Sequence, residues 1–145
     1  MIKFLNGFVI IALLVSISTE IKAQKHKFLE GKKYAAQFYE IKPAGRGKAV
    51  PSDVYFKGGK LYADLMEEKI AYPAVNYKIT LDSTYTEDDE QIQLITAEAT
   101  YEEDKSTYKI EFTVTNFDII GTFILMKGTV EKKKFEFDGA EKRKK

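Results

Sequence analysis

Between Val75 and Asp82 the chain reads VNYKITLD, and every second side chain changes character. Val75, Tyr77, Ile79 and Leu81 share one face; Asn76, Lys78, Thr80 and Asp82 share the other. A period of two is the mark of a half-buried β-strand, because successive side chains leave opposite faces of the pleat. TYKIEFTVT repeats the pattern with Tyr108, Ile110, Phe112 and Val114 against Lys109, Glu111, Thr113 and Thr115. KFEFD does so in miniature through Phe135 and Phe137. QIQLITAEATYEE begins with Ile92 and Leu94 on one face and continues with Ala97, Ala99 and Tyr101 on the other. Such a change of phase predicts a β-bulge within that strand. DIIGTFILMK is apolar on both faces, which predicts the most central or most covered strand.

Counted this way, strands are predicted near 33–41, 52–57, 60–66, 75–82, 91–101, 106–115, 118–126 and 129–138. The joints are short. Gly58-Gly59 suits a two-residue primed turn, since both central positions need positive φ. Val54, Phe56, Leu61, Ala63 and Leu65 then face inward, with Asp53, Lys57, Lys60 and Asp64 toward water. Residues 102–106 and 115–118 form two further hairpin loops, and KGTVEKKK closes the last pair. No segment carries the period of a long amphipathic helix. The fold class is therefore all-β: an antiparallel up-and-down meander of about eight strands closing into a small barrel, with an open β-sandwich as the alternative. The Pro-bearing stretches 42–51 and 67–74 read as loops. The first of them is a candidate lid over one barrel end.

The first 23 residues are set apart. Lys3 precedes the apolar run FVIIALLV, and the more polar SISTEIKA ends at Ala23. That order describes a secretory signal peptide over 1–23, leaving a single domain over 24–145 with no stable membrane anchor after cleavage. The apolar run is too short for a span, which needs about 20 residues. No cysteine occurs, so the expected exported chain, periplasmic or extracellular, must be stable without disulfides. This usage fits a bacterial envelope.

Residues 24–145 carry equal numbers of basic and acidic side chains, unevenly placed. Residues 24–60 hold nine basic and three acidic groups, whereas 61–111 hold four basic and thirteen acidic. A net basic footprint is missing, so nucleic acid is not an expected partner. The closing EKRKK reads as a solvated tail.

Catalytic chemistry finds little to build on. His26 is the one histidine and precedes every strand, in a stretch expected to be mobile, so a triad or a histidine zinc site would have to rest on it. TEDDE at 86–90 places four carboxylates in succession without the glycine turn of a calcium loop, and reads as a solvated loop. No carboxylate pair is marked as opposed across a cleft. The expectation is a non-enzyme with no cofactor and no metal.

Tyrosines and phenylalanines spread over most strands are the one signal that favours a ligand. They fill pleated sheets well, and Tyr hydroxyls can also orient an apolar molecule in a cavity. Candidate ligand-lining residues are Phe56, Leu61, Tyr77, Ile79, Tyr108, Phe112 and Phe123, the same side chains that a solid core would use.

FLEGKKY (28–34) ahead of the first strand, the eight-strand meander and the closing IIGTFILMKGTVEKKKFEFDG (119–139) together resemble a small bacterial lipocalin-like, or calycin-type, domain. The family's Gly-x-Trp entry motif is altered: Gly31 is followed by Lys32-Lys33-Tyr34. The resemblance implies a barrel that binds a small hydrophobic or amphipathic ligand and supplies no catalytic residues. The alternative is a cell-envelope structural or interaction module with a filled core. Oligomeric state and ligand identity stay open at this level.

Overall fold

The computed structural model describes residues 26–65, 67 and 74–143. The expected signal segment 1–23 and most of the loop 67–74 lie outside the described residues. Among the described residues ten strands follow one another: β1 (Lys33–Lys42), β2 (Gly45–Arg46), β3 (Val50–Lys57), β4 (Lys60–Ala63), β5 (Val75–Asn76), β6 (Lys78–Glu87), β7 (Glu90–Glu103), β8 (Ser106–Thr115), β9 (Asp118–Lys127) and β10 (Val130–Glu141). They form one antiparallel sheet in the order β5-β4-β3-β1-β10-β9-β8-β7-β6, with β2 folded onto β1.

Two features turn this sheet into a nearly closed barrel. The first long strand pairs with the last, Tyr34 opposite Glu141 through Glu40 opposite Phe135. At the other end of the order, β5 and β6 are two halves of one bent strand. Val75 and Asn76 pair with β4, while Lys78 and Ile79 pair with β7. Counting β5 and β6 as one and setting aside the two-residue β2 returns the eight-strand meander. The open sandwich is excluded.

The Gly58-Gly59 hairpin forms as its residues dictate. Both glycines have positive φ, and Lys57 pairs directly with Lys60. Val54, Phe56, Leu61, Ala63 and Leu65 are buried, and Lys57, Lys60 and Asp64 are exposed. Residues 86–90 make a tighter connection than the expected loop. Glu87 pairs with Glu90, so Asp88 and Asp89 alone form the turn, both with positive φ, a conformation that Asp tolerates better than most residues.

Three expectations are corrected. The bulge lies in β6 rather than β7: Ile79 pairs with Ala97 and Leu81 with Thr96, leaving Thr80 extra. β7 itself pairs without interruption against β8. Leu81 is thereby turned to the outer face, 45% exposed, although its alternation placed it with Tyr77 and Ile79. The 42–51 segment does not arch over a barrel end. Its β2 turns back on Ile41 and Lys42, and the Arg46 guanidinium stacks 3.5 Å over the outward Tyr39 ring and lies 3.7 Å from Asp138. Finally, DIIGTFILMK is an inner strand of the sheet, between β10 and β8, yet it is not covered on both faces, because Ile120 stands 58% exposed on the outer one.

Candidate functional site

Side chains directly opposite one another across strands form rows around the barrel wall, and burial changes from row to row. One row runs Ile95, Val114, Ile119, Gly139 and Ala36; the next runs Ala97, Phe112, Gly121, Phe137 and Phe38. Both are almost wholly buried apart from their glycines. A third row, Ala99, Ile110, Phe123 and Phe135, is buried except for Phe135. The fourth, Tyr101, Tyr108 and Leu125, is partly exposed throughout. Among the described residues the interior therefore runs from a sealed end to an open one.

The sealed end is made by the residues just before β1. His26 to Lys32 form tight turns, with Leu29 N–H and Glu30 N–H donating to the His26 carbonyl. Gly31 takes φ +81° and donates to Phe56, while Phe56 N–H donates back to Lys32. This tucks Leu29 to zero exposure under the barrel. Glu30 secures the segment from its other side. Its carboxylate accepts from Gly58 N–H at 2.6 Å and Gly59 N–H at 3.3 Å, so the hairpin turn serves as a small anion-binding nest. His26 is held rather than loose. Its Nε2 lies 2.8 Å from Asp82 Oδ2, and its Nδ1 accepts from Phe28 N–H. Gln93 also donates to Asp82. The imidazole thus ties the N-terminal segment to β6.

Inside this end, aromatic rings meet across the barrel. Phe56 from β3 lies 5.3 Å from Phe112 of β8 and 5.4 Å, edge-on, from Tyr77 at the β5–β6 bend. Tyr34 meets Phe56 edge-on at 6.1 Å. Edge-to-face rings at such spacings contribute beyond their burial. Two hydroxyls, of Tyr34 and Tyr77, are buried here without a hydrogen-bond partner. Burial pushes the Tyr34 phenol well above its ordinary value, and the charges of Glu141 and Asp118 add to it. Burial raises Tyr77 as well. The His26 backbone pulls the other way but stops short of hydrogen-bond geometry, and Glu30 adds to the rise.

The Tyr34 shift has a pH consequence. An unfolded tyrosine releases its proton near pH 10.0, whereas folded Tyr34 keeps it to higher pH. The contribution is complete below pH 10.0 and is lost as pH rises above it. In Tyr34→Phe the fall of stability above pH 10 is expected to be shallower by up to about 1 kcal/mol per pH unit. At neutral pH the variant should be at least as stable as the parent, because an orphaned hydroxyl is gone. Urea melts across pH 8 to 11 read both, and an unchanged alkaline slope would refute the assignment.

At the open end the wall is aromatic. Tyr101 and Tyr108 lie 6.0 Å apart, Tyr108 lies 6.0 Å from Phe123, and Phe123 lies 6.1 Å from Phe135. Phe38 and Phe137 stack at 4.8 Å one row below. Lys133 and Glu40 follow Phe135 and Phe38 at inward positions on their strands and bring charge to the rim. The surface is apolar in depth and polar at its lip, the chemistry of a site for an amphipathic molecule.

The residues expected to line a ligand site divide between the two ends. Phe56, Leu61, Tyr77 and Phe112 are in the sealed, closely packed part. Phe123 is fully buried mid-barrel, Ile79 is partly buried beside the bulge, and Tyr108 stands in the open row. Tyr101 joins Tyr108 there and the partly exposed Phe135 lies in the row next to it, although sequence reasoning did not name either as lining. Their inward alternation was visible; their height in the barrel depends on strand tilt and stagger, which no single strand encodes.

Comparison of the chain with protein-family models, with curated proteins and with solved structures found no match. What stands is the architecture: an antiparallel, nearly closed all-β barrel, compatible with a lipocalin-like fold.

Proposed function

We propose that the protein is an exported, non-enzymatic lipocalin-like barrel of the calycin type, acting in the periplasm or outside the cell. Its open end holds a small hydrophobic or amphipathic ligand. The observation that carries this reading is the graded burial of the inward rows, which leaves Tyr101, Tyr108 and Phe135 partly exposed at inward positions. Partly exposed aromatics in a concave wall provide apolar contact area, and the Tyr hydroxyls provide orientation. The packed aromatic cluster of Phe56, Tyr77 and Phe112 favours the second reading, a structural or interaction module, because it fills the other half of the interior.

Native mass spectrometry of protein purified from its own host separates the two. A retained small molecule is expected on the binding reading. In parallel, titration with the fluorescent amphiphile anilinonaphthalene sulfonate should saturate at one site. Tyr108→Ala should weaken that binding about tenfold or more while the fold persists, since a partly exposed ring contributes contact area as well as core packing. A bare chain mass together with non-saturable dye binding would remove the ligand reading, and a co-purified protein would favour the module.

A further inference from the structure

The β6–β7 hairpin reaches beyond the barrel, and its edge is built for pairing. After Lys78 the far side of β6 has no strand partner among the described residues, since β6 ends the sheet order. Its outer face presents Leu81, Ser83 and Tyr85; Leu81 is 45% and Tyr85 42% exposed. Across β7, Leu94 and Ile92 stand opposite Ser83 and Tyr85 and widen the apolar strip. Exposed edge strands are ordinarily blunted by proline, lysine, a bulge, an inward-pointing charge or a cover, and of these β6 carries only the bulge at Thr80, at the barrel end of its free edge, and the inward Asp82. From Ile79 to Thr86 there is no proline and no lysine, and the single charge, Asp82, points inward to His26 and Gln93.

We propose that two copies of this chain pair edge to edge along β6, antiparallel about a two-fold axis at Ser83. Symmetry and side-chain direction select that register. In a continuous antiparallel sheet, directly opposed residues share a face, so the two-fold must pass through a residue opposing itself. Centring on Asp82 would set two carboxylates against each other, which is destabilising. Centring on Thr84 would set Leu81 against Glu87. Centring on Ser83 sets Leu81 against Tyr85 twice, places each Asp82 opposite an uncharged Thr84, and lets the two small Ser83 side chains meet. It also brings Lys78 of each copy toward the acidic tip formed by Glu87, Asp88 and Asp89 of the other. The Leu81 and Tyr85 side chains of both copies then form one apolar patch on either side of the serine pair. The proposal is independent of whether the barrel holds a ligand.

The chain has no cysteine, so Ser83→Cys introduces the only thiol. Antiparallel partners lie about 4.5–5.5 Å apart at Cα, within disulfide reach. Under mild oxidation Ser83→Cys is expected to give a covalent dimer at least about tenfold faster than Thr100→Cys on the outer face of β7. Sedimentation equilibrium of the unmodified protein should show a concentration-dependent dimer. Tyr85→Lys should weaken that dimer about tenfold or more, because the two-fold uses the site twice. Circular dichroism and thermal melts confirm that each variant is folded. A monomer over the whole concentration range, or cross-linking of Ser83→Cys no faster than the Thr100→Cys control, overturns the proposal.

Discussion

Truncating Phe56 to alanine is expected to remove about 3–5 kcal/mol of stability, a large share of the roughly 5–15 kcal/mol that holds a domain of this size. The ring is 1% exposed and touches Tyr34, Tyr77 and Phe112, which come from three other parts of the barrel wall. Removing it leaves a void bounded by strands that cannot move inward independently, because each is held by its ladder. The measured cost should therefore sit toward the upper part of that range. Urea melts give the number. The informative comparison is Tyr108→Ala, a similar deletion from the partly exposed row, which should cost clearly less. Equal losses at the two positions would mean that the interior is not graded from sealed to open.

A single added methyl should be felt almost as strongly at the seam. Gly139 lies opposite Ala36 on β1 and Ile119 on β9. A Cβ there would stand 2.7 Å from the Ala35 carbonyl oxygen and 2.8 Å from the Ala36 Cα. Both obstacles are backbone, so no side-chain rotation relieves them. Gly139→Ala is expected to destabilise by about 2–3 kcal/mol, the scale of overpacking in a rigid core. Amides of β1 and β10 should lose hydrogen-exchange protection ahead of those in β7 and β8. Gly121 shows the contrasting case. Its space is taken chiefly by the Phe137 ring, alongside the Glu111 carbonyl, so an added Cβ there competes partly with a side chain. A melt of Gly139→Ala that overlays the parent would show that the seam tolerates more slack than the close approach implies.

The strands were legible because alternation is local, and nearly every predicted segment has its counterpart. Gly58-Gly59 was legible because only glycine takes those φ values without strain. What the sequence hid was relational. Thr80 looks like any outward threonine, and its status as an extra residue exists only against Thr96 and Ala97. His26 looked isolated because its partner, Asp82, is brought to it by the barrel. Glu30 gave no hint of its grip on the turn amides. The lid expected over 42–51 failed because Arg46 finds Tyr39, Glu136 and Asp138 on the outer wall. The candidate lining residues were inward, as alternation required of most of them, but alternation assigns a face and no height.

The pairing of β1 with β10 also bears on when the molecule can fold. Most other contacts join neighbours in sequence through short turns and can form as soon as each hairpin exists. The β1–β10 ladder joins the two ends of the domain, and such high-contact-order pairings form late. Until Phe135 to Glu141 arrive, one edge of β1 and the inward rings beside it have no cover. Barrel closure is thus a final event that waits for β10, however early the hairpins before it have formed.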